Sequence, residues 1–472
     1  MADNFFEHIY INVVRILDEA GISITLNAIL ITTAVALSPF IVALALAISQ
    51  TPKSLPPPAG CRKIGIKGRS NLEDQYSKKY ARGGDSTPEK PWTVKALFVY
   101  PLKSGAPIEL EKSDIIRTGL RYDRQFTLAQ QVTSMPSMDG KVTSEWHFMT
   151  QRKFPRLAKV ETEIWVPDPS VRSYKEDGEW VKSDGCLVIR FPFTPDTDFS
   201  LEGIRNVGKI LAAKLRRRPE PMVEFMVPFN PPQERIKRKG YRNEVLRIWK
   251  DSPVALNMTP DVDREMIEKL RYTLGCANPL ALFRIDANAY REVHKCAPKK
   301  EDVGFQTIIG MQDSYPIHII NMASVHDVAS KLPNSYSHSE EIWQRQLTLL
   351  DALRFRANLY ITGPPAFVED HWKKAKLTSS SDPSSSLDLH ISCRTTRCKL
   401  PNVDPKTGQP DRNEPSTTLR SYRVIDEGSK SACLGMQVTP LEEGGVAVGD
   451  KIEVLELGEH KFVGGEGKKV DG

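Results

Sequence analysis

Between Ile22 and Ser49 the chain reads ISITLNAILITTAVALSPFIVALALAIS, without one charged side chain. A helix rises about 1.5 Å per residue, so roughly 20 apolar residues cross the hydrocarbon core of a bilayer, and this run is longer. Pro39 is compatible with such a helix, because neighbouring groups in a membrane re-satisfy the carbonyl it frees. A cleaved signal peptide has a basic leader and a shorter apolar run; here Asp3, Glu7, Asp18 and Glu19 face Arg15, so the leader has the wrong sign. A core helix of a soluble domain keeps a polar face, which this stretch lacks. We expect a transmembrane anchor over 22–49, preceded by an N-terminal tail at 1–21.

Flanking charge sets the orientation, since Lys and Arg are retained on the cytosolic side. Lys53, Arg62, Lys63, Lys67, Arg69, Lys78, Lys79 and Arg82 follow the apolar run. The reading is a single-pass membrane protein whose catalytic part faces the cytosol. Over the whole chain 65 Lys and Arg oppose 59 Asp and Glu, a formal charge of +6, which is too small and too dispersed to mark a nucleic-acid binder. Two basic stretches, KLRRRP at 214–219 and ERIKRKGYR at 234–242, lack the aromatics that stack bases and read as solvated faces, with an anion or acidic-partner site as the rival. The seven cysteines are scattered and odd in number, as expected of free thiols in a cytosolic body.

Residues 50–91 are rich in Pro, Gly, Lys and Ser and read as a basic linker. The folded part is expected from Trp92. Val94–Tyr100, Arg124–Gln130 and Leu187–Phe191 are strand candidates, and short strands between turns point to barrel-like sheets, an α+β, mainly β fold. Thr259-Pro260 reads as a helix start, with Val262, Met266, Leu270 and Leu274 recurring every four residues until Gly275. The Ser-rich run 378–386 reads as a mobile loop.

Chemistry concentrates in two places. YPLKSG, Tyr100–Gly105, puts Lys103 and Ser104 at a strand end, a cradle for a phosphate or another anion unless it is a plain surface turn. GLRYDRQF adds Asp123 and Arg124, and TQRKFPRL adds Arg152 and Arg156. In SCRTTRCKLPNVDPKTG the Cys398 thiol is flanked by Arg397 and Lys399, whose charge favours the thiolate, a soft ligand for redox metals. Cys393 and Cys398 with His390 could instead be half of a zinc site, although no second Cys/His pair follows, and inert buried cysteines are the bland alternative.

The ordered series YPxKS, DRxF, RCxxxxVDPxTG, SYR and VGD resembles the MOSC proteins, and among them the mitochondrial amidoxime-reducing components, from about Trp92 to Leu457. The resemblance implies an N-terminal transmembrane helix, a MOSC N-terminal β-barrel region at 92–230, an extension at 231–300, a MOSC β-barrel domain at 301–460 and a C-terminal tail at 461–472. It implies a molybdenum-molybdopterin cofactor (Moco) with Cys398 as the metal ligand. Lys103, Ser104, Arg124, Asp313, Ser314, Arg356, Arg397 and Cys398 are then the cofactor-binding set, with Cys398 and Asp313 as catalytic residues. The implied reaction is a two-electron reduction of N-hydroxylated substrates, with cytochrome b5 and its NADH-dependent reductase as electron donors, at the mitochondrial outer membrane or endoplasmic reticulum. The rival is a sulfur-carrier or sulfurtransferase role on the cofactor. MOSC sulfurases pair this domain with a pyridoxal-phosphate domain, for which the chain has no room, so a pyridoxal-phosphate label attaches only at family level. Two departures from the pattern stand out: two extra residues separate Cys393 from Cys398, and Leu434 precedes Gly435 where an aromatic is expected.

Overall fold

A computed structural model of the chain describes residues 26–49, 55–136, 139–333 and 350–462, together with Arg15. The rest of the expected N-terminal tail, residues 22–25 of the anchor, 50–54 of the linker and 463–472 of the C-terminal tail lie outside the described residues, as do 137–138 and 334–349. The chain divides into two compact units, Met1–Ser54 with Pro192–Val223, and Leu55–Phe191 with Glu224–Gly472.

In the first unit α1, Leu26–Ser49, runs for 24 residues with Pro39 inside it, about 36 Å at the helical rise. Over Ile31–Ser49 the mean hydropathy is 2.3 and only 6% of the stretch is buried, so the helix is long and apolar enough to cross a membrane. The second helix, α2 at Leu201–Leu215, starts where Ser200 Oγ accepts a hydrogen bond from the Gly203 amide, satisfying a donor the first turn leaves free. α1 packs against α2. Ala47 is buried on α1, and on α2 the small residues Gly203, Gly208, Ala212 and Ala213 are buried together with Asn206, which donates to Asp196 O; small side chains let two helices approach closely.

The second unit is built on two closed sheets. The larger orders its strands Leu359–Thr362, Ile317–Asn321, Cys433–Pro440, Ser386–Thr396, Trp372–Thr378, Lys451–Leu457, Trp92–Val99 and Ile108–Leu110, and Leu359–Thr362 also pairs with Trp92–Val99 to close the ring. Ile317–Asn321 is buried along its whole length and pairs parallel to Leu359–Thr362, with the helix Met322–Lys331 in the connection. Phe98, Tyr100, Ile320, Val325, Phe355, Tyr360 and Leu434 form its core. The smaller barrel runs Arg242–Arg247, Val254–Asn257, Leu280–Ile285, Phe126–Thr133 and Ser144–Phe148, filled by Ala129, Leu246, Ile248, Phe283 and Met311.

The three expected strands are present at Trp92–Val99, Phe126–Thr133 and Cys186–Pro192. Several expectations need correction. Residues 55–91 are not a loose linker: Cys61–Ile64 pairs with Glu161–Pro167, and Leu72 and Gln75 are buried. Composition hid this because a few apolar side chains suffice to dock a Pro-rich segment. Residues 231–300 are not an appendage either, since they supply three strands of the smaller barrel, while Trp92–Val99 belongs to the larger one. Thr259-Pro260 opens a separate 3-10 turn, Thr259–Asp261, and the helix Arg264–Leu274 is capped by Asp263, whose side chain accepts from the Glu265 amide. Gly275 ends it in the left-handed region as expected. The Ser-rich run is the exposed connection between Trp372–Thr378 and Ser386–Thr396.

Candidate functional site

Five separate stretches end their strands or turns around one cavity of about 160 Å³. Lys103 and Ser104 follow Trp92–Val99, and Arg124 precedes Phe126–Thr133. Asp313 and Ser314 precede Ile317–Asn321, Arg356 caps the 3-10 turn Ala352–Phe355, and Arg397 and Cys398 follow Ser386–Thr396. All eight residues expected from the sequence line this cavity. Arg152 and Arg156 are not among its lining residues; Arg152 instead lies over the Trp249 ring.

Asn358 ties these stretches together. Its Nδ2 donates to Phe98 O at 3.1 Å, and its Oδ1 accepts from the His318 amide at 3.1 Å. Ser104, Arg124 and Arg356 have φ of 64°, 49° and 53°, a left-handed conformation that non-glycine residues seldom adopt. Three such residues at one cavity indicate that surrounding structure holds the backbone there against local preference.

The lining carries Lys103, Arg124, Arg356, Arg394 and Arg397 against a single carboxylate, Asp313. These cations are not equivalent. Arg394 is neutralised, facing Asp426 at 3.4 Å and Glu459 at 3.1 Å. Arg124 is paired with buried Asp123, whose other oxygen accepts from the Tyr100 amide. Arg356 and Arg397 form no ion pair among the described residues. Arg356 lies over the Tyr100 ring, its Nη1 donates to Gly105 O at 2.7 Å, and its Nη2 is buried without a hydrogen-bond partner. Arg397 is aimed by Leu434 O and Phe355 O, and its Nη2 lies 2.7 Å from His318 Nε2. Burial pulls both guanidinium groups down to about 10, so they stay charged at neutral pH. His318 is held well below its usual range by burial and by the Arg397 charge, and so accepts through Nε2 as a neutral ring.

Lys103 Nζ donates to Met311 O and Asp313 Oδ1, both at 2.6 Å. Burial pushes Lys103 down to about 8, opposed by Asp313. For Asp313 burial acts upward, but Lys103, the Trp249 indole and Arg124 outweigh it and keep the carboxylate well below its usual range. Its side chain is still 59% exposed, so it presents a fixed anion toward solvent at the cavity mouth. Trp249 Nε1 donates to Asp313 Oδ1 at 3.1 Å, and its ring meets Phe148 edge to face.

Sequence reading missed His318, Gln312 and Trp249. Gln312 donates to Thr118 O and accepts from the Gly310 amide, which shapes the turn carrying Asp313. Trp249 alone had a usable signal, an aromatic at the turn of a hairpin. Gly435 is required by close approach: with φ of 76°, an added Cβ would lie 2.6 Å from Ile319 O and 2.7 Å from His318 Nε2.

The Cys398 thiol is exposed and accepts from the Leu400 amide at 3.4 Å. Cys393 is buried with Val293, Ile309 and Tyr315, and its thiol, hydrogen bonded to that of Cys296 and desolvated, is pushed well above its ordinary pKa. The zinc alternative therefore fails. Among the described residues no group of three or more His, Cys, Asp or Glu side chains is placed to hold a metal. The unpartnered Arg356 nitrogen and the two unpaired guanidinium groups fit a group that is itself anionic.

Residues 92–210 match the MOSC N-terminal beta barrel domain and residues 306–453 the MOSC domain. The chain belongs to the MOSC-domain proteins, with the two modules in that order. It is similar to mitochondrial amidoxime-reducing component 1 of Danio rerio, 22% identical over 76% of this chain and 83% of that protein. The Mus musculus protein of the same name is 31% identical over 31% of this chain and 38% of its own length. Molybdenum cofactor sulfurase of Oryza sativa subsp. japonica is 22% identical over 70% of this chain, which spans 31% of that relative.

Proposed function

We propose that the chain is a membrane-anchored, molybdenum-cofactor-dependent oxidoreductase that reduces N-hydroxylated compounds of the amidoxime or hydroxylamine type. The observation that carries this reading is the convergence of the exposed Cys398 thiol with two half-buried guanidinium groups, unpaired among the described residues, on one cavity. Similarity to the amidoxime-reducing component of Danio rerio over most of both chains supports it.

Cys398 would ligate molybdenum, while Lys103, Ser104, Arg124 and Arg356 hold the anionic phosphate end of the pterin. The bound cofactor supplies a two-electron centre for the overall change R–NHOH + 2 e⁻ + 2 H⁺ → R–NH₂ + H₂O. Arg397, fixed by two carbonyls and neutral His318, sets positive charge beside Cys398. Asp313, held ionised by Lys103 and Trp249, accepts an N–H of the substrate and orients the N–O bond. Electrons are supplied by a cytochrome b5 and its NADH-dependent reductase. α1 anchors the chain in the mitochondrial outer membrane or endoplasmic reticulum, with the second unit in the cytosol.

The test is NADH-driven reduction of an amidoxime by the full chain, produced in a host that makes the cofactor and supplied with cytochrome b5 and its reductase. Substrate-dependent NADH oxidation is expected. Its absence in cofactor-loaded protein overturns the assignment, and a persulfide on Cys398 in such protein supports the sulfur-carrier rival, which similarity to the rice sulfurase favours.

A further inference from the structure

The feature the proposed chemistry leaves unused is α2. Leu201, Ile204, Val207, Leu211 and Leu215 recur every three or four residues and so share one side of the helix. Leu201 is 78% and Leu215 62% exposed, Ile204 and Val207 are exposed, and Phe199 just before the helix is fully exposed. From Gly203 to Pro219 every charged residue is basic: Arg205, Lys209, Lys214, Arg216, Arg217 and Arg218. None of these six forms an ion pair among the described residues. The buried residues of α2 are Asn206 and the small Gly203, Gly208, Ala212 and Ala213, and its packing partner is α1, the helix with the length and hydropathy of a membrane span.

We infer that α2 lies in the plane of the membrane beside α1, its leucine-rich stripe in the acyl boundary and its basic end among anionic lipid headgroups. An apolar face next to a cluster of cations on one helix is the pattern of interfacial amphipathic segments. Contact with α1 supplies continuity with a surface already committed to lipid. Charge complementarity selects an anionic leaflet, since cations near such a surface are attracted within a Debye length. The inference rests on the reading of α1 as an anchor.

The experiment is hydrogen exchange on the full chain in neutral detergent micelles and in vesicles of phosphatidylcholine with or without phosphatidylserine. Amides of 201–215 should exchange about tenfold more slowly in the phosphatidylserine vesicles than in micelles. Arg216→Gln/Arg217→Gln/Arg218→Gln should remove the phosphatidylserine-dependent part, and Leu201→Asn/Ile204→Asn/Leu215→Asn the whole of it. The buried strand Ile317–Asn321 reports whether each variant is folded, and should not change. Equal protection in micelles and vesicles overturns the inference, as does protection in micelles that grows with protein concentration, which would mean that a second copy covers the stripe. An alkaline carbonate wash separates the two readings. Release of the chain from vesicles overturns the anchor, whereas retention with 201–215 unprotected overturns only the in-plane helix.

Discussion

Two cavities in the second unit differ in a way that volume does not describe. The larger, about 540 Å³, is lined by exposed cations: Arg62, Lys63 and Arg121 meet Asp168, Glu163 and Asp114 at 2.8, 2.7 and 2.8 Å, and Lys67 and Lys112 lie open to solvent. The smaller, about 160 Å³, holds Arg356 and Arg397 with no carboxylate against them among the described residues, and two guanidinium nitrogens of its lining, Arg356 Nη2 and Arg394 Nε, are buried without a hydrogen-bond partner. Surface ion pairs of the first kind are worth about 0–1 kcal/mol and leave nothing for a ligand to gain. A desolvated, unneutralised cation costs the fold several kcal/mol, which an anionic ligand can offset. Unpaired, partly desolvated charge, not space, marks the site.

That contrast breaks most sharply at the thiol. Cys398→Ser should lower amidoxime reduction more than about 100-fold, a loss at least as large as that for groups that merely support a metal ligand. Because Cys398 is exposed, thermal unfolding of the cofactor-free chain should not change. Turnover near wild type would remove Cys398 from the chemistry. Next, Arg356→Gln should reduce molybdenum per chain about tenfold or more by metal analysis, while Arg62→Gln in the larger cavity leaves it unaltered. Equal effects of the two would erase the distinction between the cavities.

Glycines give a smaller effect. Gly435→Ala forces a Cβ against Ile319 O and His318 Nε2 at positive φ, and should cost about 2–3 kcal/mol in urea unfolding. Gly445, which lines the larger cavity and has nothing within 4 Å of an added Cβ, should tolerate Ala within about 0.5 kcal/mol.

The smallest effect reverses the sign of the charge. Glu369 is fully buried and accepts from Ser324 and Asn321, and burial pushes its carboxyl up to about 7. Its folded pKa lies above the unfolded value, so the folded state holds the proton more tightly. Stability from this group should fall as pH rises from about 5 to 7, by about 1–2 kcal/mol. Glu369→Gln should flatten the unfolding free energy over that window, and an unchanged slope would mean that the group ionises freely in the fold.

Most of the candidate site was legible because each contributor sits in a short run with its own local pattern, from Lys103-Ser104 in YPLKS to Arg397-Cys398 in RCKLPNVDP. What was not legible depends on contacts between distant segments. Nothing local marks His318 as the neutral partner of Arg397, and nothing in 231–300 announces three strands that close a barrel begun a hundred residues earlier. Residues 55–91 failed for a related reason: composition reports an average, whereas docking depended on Cys61, Leu72 and Gln75. Cys393 and Cys398 look like a pair in sequence, yet one is buried against Cys296 and the other faces the cavity mouth.

The most direct measurement is molybdenum and pterin content of the full chain purified from a host able to make the cofactor. About one molybdenum atom and one pterin per chain are expected, with both lost together in Arg356→Gln. Wild-type protein that is folded and carries neither would contradict the assignment of the cavity, whatever the similarity of the chain to its relatives.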